Sequence, residues 1–284
     1  SLQSIGKSRF NHRGSRFMIV LPDTLKNRLG GGDEFASVFS IEGKIYKQRQ
    51  GRTTLRFTID DTGYFLKKHQ GIGWKELLRY LFQFRIPVLS AKNEWLAIHQ
   101  LQKLGVPTMS PIGYGRKGWN PGRLKSFLIT RELAGMVSLK EFCKEWPASP
   151  PGPRLKRKLI EKVAEIARTI HENGINHRDF YLAHFLLDPL TIHNGKDPRL
   201  YLIDLHRVQI RPKTPDRWRV KDIAALYFSS LGIGLTKRDR CRFITHYQGK
   251  PLRRCLTEDA VFWKNVQKRG HKFNREFIRK HPGH

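Results

Sequence analysis

The chain has 284 residues, enough for a sizeable core in one large domain or two lobes, and it sets 54 Lys and Arg against 24 Asp and Glu, a formal charge of +30. A field of that sign argues against a cationic substrate such as an aminoglycoside and implies a polyanionic partner: nucleic acid, an anionic membrane surface, a phosphorylated glycolipid or an acidic protein. Three scattered cysteines without a CxxC argue against a disulfide framework or a zinc site, and no apolar run approaches the ~20 residues of a membrane span.

Residues 1–34 read as a basic arm, partly disordered and without the apolar centre of a signal peptide. Residues 35–69 read as strands: SVFSIEG, KIYKQ, TLRFTID and GYFLKKH are short, β-branched or aromatic, and separated by turn signals. Residues 72–85 switch to helical period, with Trp74, Leu77, Leu78 and Leu81 on one face and Pro87 as the stop. A second helix is expected over 92–104, ended by Gly105 and Pro107. SFLITREL at 126–133 is strand-like and leads into a short helix at 138–145, and WPASPPGP at 146–153 reads as a linker. A long helix follows over 154–173, with Leu159, Val163, Ile166, Ala167 and Ile170 on one face; further helices are expected over 217–231, 236–248 and 257–279. Strands first and helices afterwards predict an α+β fold: a small β-rich lobe over 35–133 and a larger, mostly helical lobe over 134–284 that ends in a basic helix.

The chemistry is concentrated in two strings. His177-Arg178-Asp179-Phe180-Tyr181-Leu182-Ala183-His184 runs into the apolar Phe185-Leu186-Leu187, and YLIDLH follows, with Asp204 25 positions beyond Asp179. The first has the form of a kinase catalytic loop, whose Asp orients the acceptor hydroxyl and takes its proton; the second has the form of the strand end whose Asp holds Mg²⁺. His184 stands where protein kinases carry Asn, which makes it a candidate metal or phosphate ligand, although Mg²⁺ prefers oxygen. Asp204-Leu205-His206 replaces the usual Asp-Phe-Gly. Lys67 and Lys68 close the strand YFLKK, and strand alternation lets only one of them face ATP. Glu94, one turn into helix 92–104, is the expected ion-pair partner of that Lys. Gly51, Arg52, Thr53 and Thr54, in QRQGRTT, are offered to phosphate although no GxGxxG is present, and Thr130 to Leu133, with Glu132, stand where a hinge would hold adenine through its backbone. Asp222, opening an apolar helix, reads as a brace beneath the catalytic loop.

HRDFYLAHFLLD, YLIDLHRVQIRPKTPDRWRVKDIAALYFSSLGIGLTKRD, GYFLKKH and SFLITREL resemble the lipopolysaccharide core heptose(I) kinases, of the superfamily that also holds 3-deoxy-manno-octulosonic acid kinases. The resemblance covers roughly 35–250 and implies a protein-kinase-like bilobal fold that uses ATP and Mg²⁺ to phosphorylate the first heptose of the inner core. It puts the catalytic Asp at Asp179, the metal Asp at Asp204 and the nucleotide Lys at Lys67. The acceptor would carry lipid A phosphates and sugar carboxylates, which accounts for the charge. It also implies work at the cytoplasmic face of the inner membrane, as a peripheral protein drawn to anionic lipid. Helix 72–85 either packs on the small lobe or lies on that membrane. An acidic helical protein, such as an acyl carrier protein, is a further partner of suitable charge. The alternatives are a kinase for another anionic sugar or a protein acceptor, and a basic nucleic-acid-binding protein on a kinase scaffold. No specific nucleic acid is expected, since the chain lacks a recognised nucleic-acid motif.

Overall fold

The computed structural model describes residues 17–281 except 30–31, 50, 72, 74–89, 121 and 194–195. The helix expected over 72–85 lies outside the described residues. The chain divides into two compact units, the described residues of Ser1–Ile98 with Met109–Ala134, and those of His99–Thr108 with Gly135–His284.

The first unit is built on β1 (Phe17–Val20), α1 (Asp23–Leu29), α2 (Glu34–Ser40), β2 (Lys44–Arg49), β3 (Arg52–Ile59), β4 (Thr62–His69), the start of α3 (Lys92–Lys103), β5 (Pro111–Lys117) and β6 (Lys125–Arg131). The strands form one antiparallel sheet in the order β1-β5-β6-β4-β3-β2. Leu55, Phe57, Leu66, Phe127 and Ile129 line one face and are buried with Leu21 and Leu25, Phe35 and Val38 of the N-terminal segments. On the other face Trp95 of α3 stacks on Tyr114 at 5.3 Å.

Three readings change here. Residues 17–29 are not an arm: β1 pairs with the edge of β5 from Phe17↔Lys117 to Val20↔Tyr114, and Leu25 of α1 enters the core. SVFSIEG is not a strand: its first four residues, 37–40, are the second half of α2, and 41–43 follow the helix. Asp33 caps it by accepting from the N–H of Phe35 and Ala36 at 3.0 and 3.2 Å, and Phe35, Val38 and Phe39 follow helical spacing. PIGYGRK, not expected to be a strand, is β5. A Cβ at Gly113 would come 2.5 Å from Leu21, and one at Gly115 2.3 Å from the Phe127 ring, so this strand needs the glycines that disguise it.

The second unit comprises β7 (Val137–Ser138), α4 (Leu139–Phe142), α5 (Pro153–Glu172), β8 (Ile175–Asn176), β9 (Phe185–Leu187), α6 (Pro189–His193), β10 (Leu200–Leu202), β11 (Gln209–Ile210), α7 (Asp216–Ser229), α8 (Lys237–Gln248), α9 (Leu252–Glu258) and α10 (Ala260–Lys280). The expected stripe of α5, Leu159 to Ile170, is buried, and α5 packs on α8. Residues 99–108 also belong to this unit, where Thr108 donates to the Leu202 carbonyl at 2.6 Å. The helix expected over 257–279 is broken at Asp259, where Lys250 pairs with both Asp259 and Glu258, at 2.6 and 2.8 Å. Helix α10 crosses α7 where Gly270 meets Tyr227: a Cβ there would sit 2.4 Å from the ring.

Candidate active site

In the first unit the choice between the two lysines is made by the pleat of β4. Directly opposed residues of an antiparallel pair share a face. Lys67 lies opposite Thr54 and Leu128, and Lys68 opposite Thr53 and Phe127. Lys68 therefore points to the side covered by α2, where it donates to the carbonyls of Phe39 and Ile41 at 2.6 and 2.8 Å and caps that helix; burial holds its pKa below the ordinary lysine value. Lys67 points to the α3 side and pairs with Glu94 at 2.5 Å, with side chains 13% and 1% exposed. A lysine held that way by a buried carboxylate has a fixed ammonium to present to phosphate.

The same register narrows another expectation. Thr53 shares the face of Lys68, so Thr54, not Thr53, stands on the side of Lys67. Gly51 adopts φ 72° in the turn between β2 and β3, and its carbonyl accepts from the N–H of Gln70 at 2.7 Å. Glu132 does not fit an adenine-binding hinge donor. Its N–H donates to the Gly63 carbonyl at 2.9 Å and its carboxylate accepts from Arg56 at 2.8 Å, so both groups are committed to the sheet.

In the second unit the HRD string forms a loop held from below. Gly174 takes φ +76°, and a Cβ there would lie 1.7 Å from the Arg211 carbonyl, so only glycine permits the turn out of α5. Buried Asp222 accepts from two consecutive backbone N–H groups, His177 at 2.6 Å and Arg178 at 2.8 Å, as a brace should. His177 is buried too; burial lowers its pKa, and its Nε2 pairs with the Ile203 carbonyl at 2.9 Å, tying the loop to the end of β10. Arg178 is forced to φ 74°, an uncommon value for a non-glycine residue. The next residue, Asp179, is thereby presented at the bend.

Both oxygens of Asp179 accept from one nitrogen of Arg207, at 2.7 and 3.1 Å. Arg207 was not singled out from the sequence. It lies three residues after Asp204, in a 3-10 turn over Leu205–Arg207; in such a turn residues i and i+3 eclipse, a signal the string DLHR contains. Asp204 itself takes φ 62°, and its Oδ1 is engaged by Nδ1 of His206, the residue that replaces the glycine of the usual motif.

His184 and Asp204 are brought together. Nδ1 of His184 lies 2.6 Å from the Asp179 carbonyl. A carbonyl only accepts, so Nδ1 carries the hydrogen, which leaves Nε2 as the ring nitrogen that can offer a lone pair. That nitrogen faces Oδ2 of Asp204 at 3.6 Å, beyond hydrogen-bond range. Two electron-rich atoms so placed fit a cation between them. Among the described residues no group of three or more His, Cys, Asp or Glu side chains could hold a metal, so phosphate oxygens and water would have to complete the shell, the usual arrangement for Mg²⁺ at a nucleotide.

The model of the lipopolysaccharide kinase (Kdo/WaaP) family matches residues 36–247. Lipopolysaccharide core heptose(I) kinase WaaP of Pseudomonas aeruginosa is 48% identical over 242 residues, 85% of this chain and 90% of that protein. The protein of the same description from Escherichia coli K12 is 46% identical over 240 residues, 84% of this chain and 91% of its own. A solved structure described as WaaP in complex with acyl carrier protein is 42% identical, covers 90% of this chain and 98% of its own, and superposes with a TM-score of 0.77.

Proposed function

This chain belongs to the lipopolysaccharide kinase (Kdo/WaaP) family and is an ATP-dependent kinase, and on that footing we propose that it phosphorylates heptose I of the lipopolysaccharide inner core. The relatives of that description support the acceptor. The observation that carries the chemistry is Asp179, held on a braced loop by Asp222 and oriented by Arg207. Asp179 orients the heptose hydroxyl and takes its proton late in transfer. Lys67, fixed by Glu94, binds the phosphates of ATP. Gly51 and Thr54 are the residues of the β2–β3 turn region offered to phosphate. Asp204 and His184 hold Mg²⁺, which when bound neutralises charge on the transferring phosphoryl group.

An acyl carrier protein is the protein partner in this reading. It rests on the solved relative in that complex, on the charge of +30, and on an apolar cavity of about 610 Å³ in the second unit, lined by Trp146, Val163, Leu182, Leu226, Phe243 and Trp263, which suits an acyl chain. Among the described residues no helix is long and apolar enough to cross a membrane. We assign the protein to the cytoplasmic face of the inner membrane as a peripheral enzyme, drawn there by exposed Lys and Arg.

The test is transfer of labelled phosphate from ATP to purified rough-type lipopolysaccharide, with and without an unphosphorylated heptose. Label should enter only the acceptor with the free heptose. Equal labelling of both, or of neither, overturns the assignment.

A further inference from the structure

A cluster of cations beside the catalytic loop has no part in the scheme above. Four of them surround one indole. The Trp218 ring centroid lies 5.4 Å from the guanidinium of Arg178, 5.6 Å from that of Arg211, 5.7 Å from that of Arg217 and 5.2 Å from the ammonium of Lys221. Arg217, Trp218 and Lys221 come from the first turns of α7, Arg211 from the segment before it, and Arg178 is the residue immediately preceding Asp179. Among the described residues, none of the side chains of Arg178, Arg217 and Lys221 forms an ion pair, and Nε of Arg178 is buried without a hydrogen-bond partner. The nearby carboxylates are already used, Asp179 by Arg207 and Asp222 by the loop backbone.

Gathering like charges this way is unfavourable, and attraction to the face of the Trp218 ring returns only part of the cost. The tension shows in the titration of the cluster. Burial first, then the charges of Arg178, Arg207 and Arg269, lower the pKa of Lys221; burial, then Arg207, lowers that of Arg178. Such a cluster is stabilised by an anion. Guanidinium and ammonium donors on a rigid aromatic platform suit phosphate or carboxylate oxygens, and the partly buried setting strengthens each contact relative to water.

We propose that Arg178, Arg211, Arg217 and Lys221, gathered around Trp218 beside Asp179, form a subsite for an anionic group of the glycolipid acceptor, a phosphate or a carboxylate. The inference rests on the acceptor assignment above and deepens it. The heptose itself is neutral, so charge cannot recognise the sugar that reacts; it recognises a neighbouring group and thereby places the hydroxyl at Asp179.

The test uses the full chain with Arg217→Gln and Lys221→Gln combined, since both side chains lie outside the loop, the metal ligands and the ATP lysine. Arg178 is left in place because its backbone is part of the braced loop. Lys140→Gln with Lys144→Gln, two exposed cations of the same unit, controls for general loss of charge. Three acceptors are compared: intact rough-type glycolipid, the same stripped of phosphate, and the same with its carboxyls reduced. Acceptor KM and direct acceptor binding without ATP are both measured, with ATP KM alongside. Acceptor KM should rise ~10-fold or more on the intact acceptor, with ATP KM within twofold of the parent. The penalty should vanish on whichever stripped acceptor lacks the recognised group, which tells phosphate from carboxylate. A penalty equal on all three acceptors, equal to that of the control pair, or falling on ATP KM instead overturns the proposal. If the parent protein transfers no phosphate to any heptose acceptor, the acceptor assignment fails instead, and the binding measurements still judge the cluster.

Discussion

Replacing Asp222 with Ala tests whether the catalytic loop is held as described. Asp222 is fully buried and receives two backbone N–H groups, from His177 and Arg178. Truncation leaves both without an acceptor, and a buried unsatisfied donor costs ~1–3 kcal/mol. Two give roughly 2–6 kcal/mol, and water entering the space left by the carboxylate offsets part, so a loss of about 3 kcal/mol is expected. For a chain of this size that lowers Tm by roughly 6–12 °C. A second effect falls on turnover. Arg178 is kept at φ 74°, a conformation that costs of order 1–3 kcal/mol and persists only while its surroundings enforce it. Without the brace the loop relaxes and Asp179 swings away from its working position, so kcat falls by two orders of magnitude or more while ATP binding changes little. Asp216, on the same helix with its side chain 76% exposed, is the control: Asp216→Ala should cost at most ~0.5 kcal/mol. Thermal unfolding and steady-state kinetics of both variants suffice. An Asp222→Ala protein within 0.5 kcal/mol of the parent and with parental kcat would refute the brace.

The two lysines of β4 should separate by their effect on nucleotide: Lys67→Ala abolishes ATP use and also lowers Tm, because it leaves the buried Glu94 carboxylate unpaired, whereas Lys68→Ala lowers Tm through loss of the α2 cap and leaves ATP KM close to parental. Equal effects on ATP KM would contradict the pleat assignment. Asp204→Asn should sharply raise the Mg²⁺ concentration needed for half-maximal rate, and His184→Asn should raise it less, because a carboxamide oxygen replaces the ring nitrogen; Mg²⁺ titrations of the two variants decide this, the reverse order being incompatible with the pair described. Asp179→Ala should remove transfer and keep ATP affinity, as read by nucleotide binding and label transfer side by side. Gly270→Ala should lose ~1–3 kcal/mol in denaturant unfolding in spite of its better helix propensity, since the new methyl meets Tyr227; a stabilised variant would mean that α10 and α7 can separate without cost.

What the sequence made legible follows from how locally each feature is encoded. The α5 stripe, Asp179 and Asp204 sit in short strings whose spacing carries the information. A pair between Glu94 and one of the two lysines was expected from the kinase-like motifs and the resemblance put it at Lys67, yet the physical choice of Lys67 over Lys68 depends on which residue faces α2, a helix misread as a strand because Phe and Val favour both. β5 was hidden by Gly113 and Gly115, whose absent side chains make room for Leu21 and the Phe127 ring. Arg207 was missed because the partner it finds is 28 residues away along the chain. Glu132 cannot offer its N–H to adenine because that donor is spent on Gly63, a pairing that no property of Glu132 itself announces.

The closure of the sheet by the N-terminal segments has a consequence for synthesis. Phe17 pairs with Lys117, 100 positions further on, and Phe35 packs on Phe127. At ~5–20 residues per second, these early segments wait about 5–20 s after leaving the ribosome before their partners exist. Meanwhile Leu21, Leu25, Phe35 and Val38 are an adhesive surface without a template, flanked by a basic chain that also attracts ribosomal RNA. The slowest step on the way to the native first unit is therefore expected to be the docking of these segments, and the chaperone demand of this protein to be concentrated in the interval between translation of α2 and completion of β6.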